Sequence, residues 1–137
     1  MNDKKKAVAV YIRLALDDVN DILPLSVKYL KKIAEEIGNV VGVYIDNRRK
    51  KEWLSWDDLM TDCRLGKVDI IVVRSLAHLG RDRTDMLAHL QDLRTLGIQA
   101  YFIVEQLFSD SDDFKKTISI YCELAKMEYM NRKDCLI

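Results

Sequence analysis

The segment from Val68 to Leu96 constrains this chain more than any other. Ile70, Ile71, Val72 and Val73 form an unbroken β-branched run that stops at a charge, Arg74. A strand that stays apolar at consecutive positions is buried on both faces, as strands inside a parallel sheet are. A short loop with His78, Gly80, Arg81 and Arg83 follows. Leu87, Leu90, Leu93 and Leu96 then recur at helical spacing, with Met86 beside them. Open α/β sheets bind their ligands just past the carboxyl ends of the strands, and the cations after Val73 stand there. Arginine suits a phosphate at such a place because its planar fork donates two hydrogen bonds at once.

The remaining chain repeats the alternation. Ala7 to Ile12 reads as a first strand ended by Arg13, and residues 14–23 as a loop carrying Asp17, Asp18 and Asp21. Acidic residues in that position act as helix caps more often than as a metal pair. Pro24 opens a helix in which Val27, Leu30, Ile33, Ala34 and Ile37 share one face, and Gly38 terminates it. Val40 to Ile45 is a second strand closed by Asp46. A basic run, Arg48, Arg49, Lys50 and Lys51, leads to a helix from Trp53 to Arg64 with Trp53, Trp56, Leu59, Met60 and Cys63 inward. Tryptophans three apart point to core packing rather than base stacking. His89, inside the third helix, reads as a helix-surface or half-buried residue. Gly97 ends that helix and Ala100 to Val104 is a fourth strand.

The last helix begins in Ser109, Asp110, Ser111, Asp112 and Asp113, an acidic start that suits the helix dipole. It carries two apolar stripes, Phe114/Ile118/Tyr121/Cys122/Ala125 and Ile120/Leu124/Met127. An arc that wide calls for cover on a second side, which in a small chain points to a partner subunit. The order predicts a three-layer α/β sandwich with a central, mostly parallel sheet of four to five strands. The expected domain is single, over residues 1–137, with its last helix at about 110–133 and no separate DNA-binding domain.

Bulk properties narrow the function. Lysine plus arginine and aspartate plus glutamate each number 22, so the formal net charge is zero. That speaks against a whole-surface nucleic-acid binder but leaves room for a local basic site. Cys63, Cys122 and Cys135 are far apart, with no Cys-x-x-Cys, so neither zinc nor a disulfide framework is signalled. No apolar run approaches the roughly 20 residues that span a bilayer, and residues 7–12 are too short for a signal-peptide core. The expectation is a cytoplasmic protein without cofactor or metal and without membrane contact.

Three anchors carry a resemblance that covers nearly the whole chain. The first is Tyr11-Ile12-Arg13-Leu14-Ala15. The second is Val43-Tyr44-Ile45-Asp46. The most specific is Gly66-Lys67-Val68-Asp69-Ile70-Ile71-Val72-Val73-Arg74-Ser75-Leu76-Ala77-His78-Leu79-Gly80-Arg81. Together they resemble the N-terminal catalytic domain of serine site-specific recombinases, the resolvase/invertase group, whose patterns are Tyr-x-Arg-x-Ser and Gly-x-Val-Asp-x-Val-Val-Val…Leu-Asp-Arg-Leu-Gly-Arg. A weaker match, Leu124-Ala125-Lys126-Met127-Glu128, falls where the family has an acidic residue in its long helix.

The resemblance implies a resolvase-like fold, DNA as partner, and chemistry in which a serine hydroxyl attacks a DNA phosphodiester to give a phosphoserine. Arginines around the phosphate stabilise the developing charge. In this sequence Ala15 occupies the nucleophile position, Ala77 that of the aspartate and His78 that of the arginine. Arg13, Arg81, Asp46 and Glu128 match the family. The arginine expected near the start of the second helix has no clean counterpart, only Arg48 to Lys51 in the wrong frame. Groups of this kind act as a unit, so losing the nucleophile removes most of the covalent route. The expectation is a degenerate domain that does not cut DNA. Ser75 is the best-placed substitute hydroxyl, but no base adjoins it. Arg13 and Arg81 are expected to face phosphate, and Arg48, Arg49, Lys50, Lys51 and Arg74 to contact the DNA backbone, the run Arg48 to Lys51 reading equally as a solvated loop. His78 lacks the guanidinium fork of the arginine expected there and reads as a relic.

Two other classes compete, a small phosphate- or nucleotide-binding α/β module of the flavodoxin or response-regulator kind and a pure interaction protein. A response regulator needs an acceptor aspartate after the third strand, where this chain has Arg74 and Ser75. A dinucleotide binder needs Gly-x-Gly-x-x-Gly after the first strand, and residues 13–23 contain no glycine. A pure interaction protein would instead use the two-striped last helix, as a homodimer or as an inactive partner of an active recombinase.

Overall fold

The structure, a computed structural model, describes residues 6–14, 23–47, 52–79 and 83–135. Its strands are β1 (Ala7–Leu14), β2 (Asn39–Asn47), β3 (Ile70–Val73), β4 (Gln99–Phe102) and β5 (Leu107–Phe108). Its helices are α1 (Leu23–Ile37), α2 (Leu54–Arg64), α3 (Arg83–Leu96) and α4 (Asp112–Cys135). A 3-10 turn, Leu76–Leu79, follows β3. The five strands lie in the order β2-β1-β3-β4-β5, with the first four parallel and β5 antiparallel to β4.

Alternation along the strands builds the layers. Val8, Val10 and Ile12 of β1, with Ile70 and Val72 of β3, pack on Leu30 and Ala34 of α1. Ala9 and Tyr11, with Ile71 and Val73, pack on the other side against Trp56, Leu59, Met60 and Cys63 of α2, Met86 and Leu93 of α3, and Phe114 of α4. All four β3 residues are buried, so the unbroken apolar run is a strand covered on both faces. The expected α/β sandwich is the observed one, with α1 the helix packed on one side among the described residues.

Several boundaries differ from expectation. The last helix starts at Asp112, not 110. Ser111 is the reason, because its hydroxyl accepts the Phe114 N–H at 3.1 Å and caps the helix. Asp110 turns back instead, accepting from Gln99 Nε2 at 2.9 Å. β2 extends past Ile45 to Asn47, and Arg13 lies inside β1 rather than ending it. Gly38 is not a left-handed helix stop, since the described positive-φ residues are Gly66, Gly97 and Gln106. It is needed for close approach: a Cβ there would sit 2.5 Å from the Lys6 carbonyl oxygen and 2.9 Å from Val8 Cγ2. Gly97 does end its helix at positive φ, with Ile98 N donating to Leu93 O and Gly97 N to Arg94 O.

Candidate functional site

Parallel register brings the chemistry-bearing residues to one end of the sheet. Arg13 of β1 lies level with Asp46 of β2, and Tyr11 level with Val73 of β3. Arg13, Asp46, Arg74 and Glu105 therefore stand at or just past the carboxyl ends of β1, β2, β3 and β4, where sheets of this type bind ligands.

Asp46 is the hub of the α2 side. It is 6% exposed and accepts three hydrogen bonds, from the Tyr11 hydroxyl at 2.8 Å, Ser55 N at 2.9 Å and Trp56 N at 3.0 Å. Trp53, at the N-cap of α2, makes no side-chain cap bond. The carboxylate caps that helix from the neighbouring strand, and its negative charge suits the positive end of the helix dipole. Ser55 adds a bond from its hydroxyl to the Ile45 carbonyl at 2.6 Å. Burial, followed by the Asp46 hydrogen bond and charge, pushes the Tyr11 hydroxyl far above the ordinary tyrosine range, while Arg13 pulls the other way. Tyr11 is therefore a protonated donor at neutral pH.

Arg13 is 2% exposed. Its guanidinium carbon lies 3.7 Å from the centroid of the Trp53 ring, a cation–π contact. Trp53 meets His89 edge-on at 4.1 Å, His89 meets Trp56 at 4.6 Å, and Trp56 meets Tyr11 edge-on at 5.1 Å. His89 is thus a buried member of an aromatic box, which corrects the expectation of a helix-surface or half-buried residue. Its Nδ1 faces the Leu79 carbonyl, which can only accept, so the proton sits on Nδ1. The box ties the ends of β1 and β2 to the start of α2, to α3 and to the turn after β3. Trp56 packs as expected and is 1% exposed; its indole N–H meets no acceptor among the described residues.

The cations after β3 go elsewhere. Arg74 is exposed and, with the half-buried His78, lines a small cleft with Tyr11, Ile12, Ser26 and Leu30, the last two from α1. Arg13 and Arg74, adjacent on the sheet in sequence logic, are separated by its two faces. Ala77 is exposed within the 3-10 turn. Ser75 is buried, its carbonyl accepting from His78 N at 3.0 Å. Glu105, just past β4, accepts from Leu76 N at 3.3 and 3.4 Å and steadies this turn from its start.

Glu128 of α4 pairs with Arg83 at the start of α3, so it reaches the region that follows Arg81 in the chain. Ala15, Arg48, Arg49, Lys50, Lys51 and Arg81, like Asp17, Asp18 and Asp21, lie outside the described residues. Cys63 is buried and its thiol is pushed up to about 11, chiefly by burial and next by the Asp62 charge, which leaves an unreactive thiol at neutral pH. Residues that sequence reasoning missed at this end of the sheet are Tyr11, Ser55, His89 and Glu105. Only the hydroxyl of Tyr11, inside a quoted motif, carried any signal.

Residues 8–133 match the family model described as Resolvase, N terminal domain. Comparison with curated proteins gives no match. Among solved structures the chain is similar to a resolvase family site-specific recombinase from Streptococcus pneumoniae, with a TM-score of 0.81, 23% identity, and coverage of 96% of this chain and 93% of that one. It is similar to the N-terminal catalytic domain of TP901-1 integrase, at 0.77 and 23%, over 91% and 98% of the two chains. A serine recombinase from Sulfolobus solfataricus gives 0.54 and 21%, over 95% and 89%. Identities this low speak to fold.

Proposed function

The chain belongs to the resolvase N-terminal-domain family, and we propose that it acts in DNA recombination as a subunit that contacts DNA phosphates and partner subunits without cutting DNA itself. The observation that carries this reading is Ala15 at the position where the family resemblance puts the attacking serine. A methyl group cannot form a phosphoserine. The state of the residues nearby supports it: Asp46 spends its oxygens on three protein donors, and Arg13 is buried beneath Trp53. Ala77 and His78 replace the expected Asp-Arg pair. The exposed Arg74, the basic run Arg48 to Lys51, and Arg81 are the proposed backbone contacts, with Arg13 and Glu128 as retained site positions.

A second reading, in which the domain serves chiefly as an oligomerisation or regulatory partner of an active recombinase, is favoured by α4. Ile120 and Met127, on the stripe opposite Phe114, are 61% and 58% exposed. A homodimer through this helix would cover them.

The test is covalent capture. Incubated with a recombinase suicide substrate and run on a denaturing gel, the unmodified chain yields no protein–DNA adduct. An adduct would overturn the proposal. Ala15→Ser combined with Ala77→Asp and His78→Arg, joined to a DNA-binding arm, restores adduct formation if the scaffold still frames the old site.

A further inference from the structure

We propose that the Trp53 indole is a removable cover over Arg13, so that a phosphate oxygen reaches the guanidinium only when the indole leaves. This deepens the reading that Arg13 faces phosphate and rests on it. Arg13 is 2% exposed although it stands at the ligand-binding end of the sheet. Among the described residues, a ring face lies on it at 3.7 Å, and a ring face occupies an approach that an anion needs. Trp53 itself is only half-buried. It occupies the N-cap position with non-helical dihedrals, φ −119° and ψ 48°, and makes no side-chain cap bond. Asp46 already binds the backbone N–H groups of Ser55 and Trp56, so α2 keeps its cap whichever way the indole points. Rotation about the Trp53 side-chain bonds therefore uncovers Arg13 without unwinding the helix.

What the indole leaves behind is suited to an anion. The same box holds the Trp56 N–H, buried and with no acceptor among the described residues, a donor that an entering phosphate or water oxygen satisfies. Trp53 also touches His89, whose Nδ1–H holds the Leu79 carbonyl. Opening the cover thus loosens a contact to the turn after β3, and the Arg13 side of the sheet is linked to that turn.

The experiment titrates inorganic phosphate, at constant ionic strength, into the 15N-labelled chain and follows the Arg13 Nε–Hε signal, assigned by its loss in Arg13→Lys. Wild type, Trp53→Ala and Trp53→Phe are compared. In Trp53→Ala the signal moves at a phosphate concentration roughly tenfold lower than in wild type, the order of affinity that a desolvated cation–π contact withholds. Trp53→Phe, whose smaller ring bares part of the guanidinium, falls between, and is the variant to read should Trp53→Ala lose its amide dispersion. Equal half-saturation in all three overturns the cover and leaves the phosphate reading of Arg13 standing. An Arg13 signal that stays still in every variant overturns both.

Discussion

Replacing Asp46 by alanine tests whether this carboxylate is a structural hub. Three donors converge on it at 2.8, 2.9 and 3.0 Å, and Arg13 lies level with it on the adjacent strand. Alanine leaves the buried Tyr11 hydroxyl without its acceptor, at about 1–3 kcal/mol. It also uncaps α2, at about 1 kcal/mol, and removes a negative charge beside a buried cation. These losses share one site and do not add in full. The expected destabilisation is about 2–4 kcal/mol, set against a total of about 5–15 kcal/mol for a domain. Asp46→Asn keeps one acceptor oxygen and loses the charge, and is expected to cost about half as much. Urea unfolding followed by far-UV circular dichroism reads both, with an unchanged m-value required. Thermal midpoints should fall by about 3–5 °C per kcal/mol for a chain of this length. A cost under about 1 kcal/mol for Asp46→Ala would refute the reasoning, and would mean that the carboxylate is free for other work.

Three further outcomes are expected. Gly38→Ala should destabilise by about 1–3 kcal/mol in the same urea assay, because the new methyl meets the backbone oxygen of Lys6 at 2.5 Å; no loss would mean that β1 and the end of α1 are further apart. Stability should fall as pH rises from about 9 toward about 11, since the Cys63 thiol and Tyr11 hydroxyl keep their protons longer folded than unfolded; urea midpoints that rise in that window would contradict the buried environment. Ile120→Lys with Met127→Lys should leave thermal stability within about 0.5 kcal/mol, since both side chains are exposed, yet shift the chain to monomer in sedimentation velocity. A wild type that already sediments as a monomer at high concentration removes the main support for pairing through α4.

Much of the fold was legible in the chain because its signals are local. Ile70 to Val73 announces a doubly covered strand without reference to anything else, and the helical spacing of Val27, Leu30, Ala34 and Ile37 announces α1. β5 escaped because two residues carry no periodicity, and the start of α4 was misjudged because Ser109, Asp110, Ser111 and Asp112 are all credible caps. Only the bond from Phe114 N to Ser111 decides among them.

The candidate site divides along the same line. Sequence alone puts a methyl at Ala15 and at Ala77, the positions where the family resemblance expects a serine and an aspartate, and the proposal of a non-cutting subunit starts from those two residues. It also put Arg13 and Asp46 near the carboxyl ends of their strands, where apolar residues give way to charge, although β1 runs one residue past Arg13 and β2 one past Asp46. Tertiary structure decided what those residues do. Register set Arg13 level with Asp46, and the pleat sent Arg74 to the opposite face of the sheet. The fold brought Trp53 and His89, 36 positions apart in the chain, into one box over a buried guanidinium. Contacts between residues so distant follow from how strands pair and helices pack, and no local pattern in the chain encodes them.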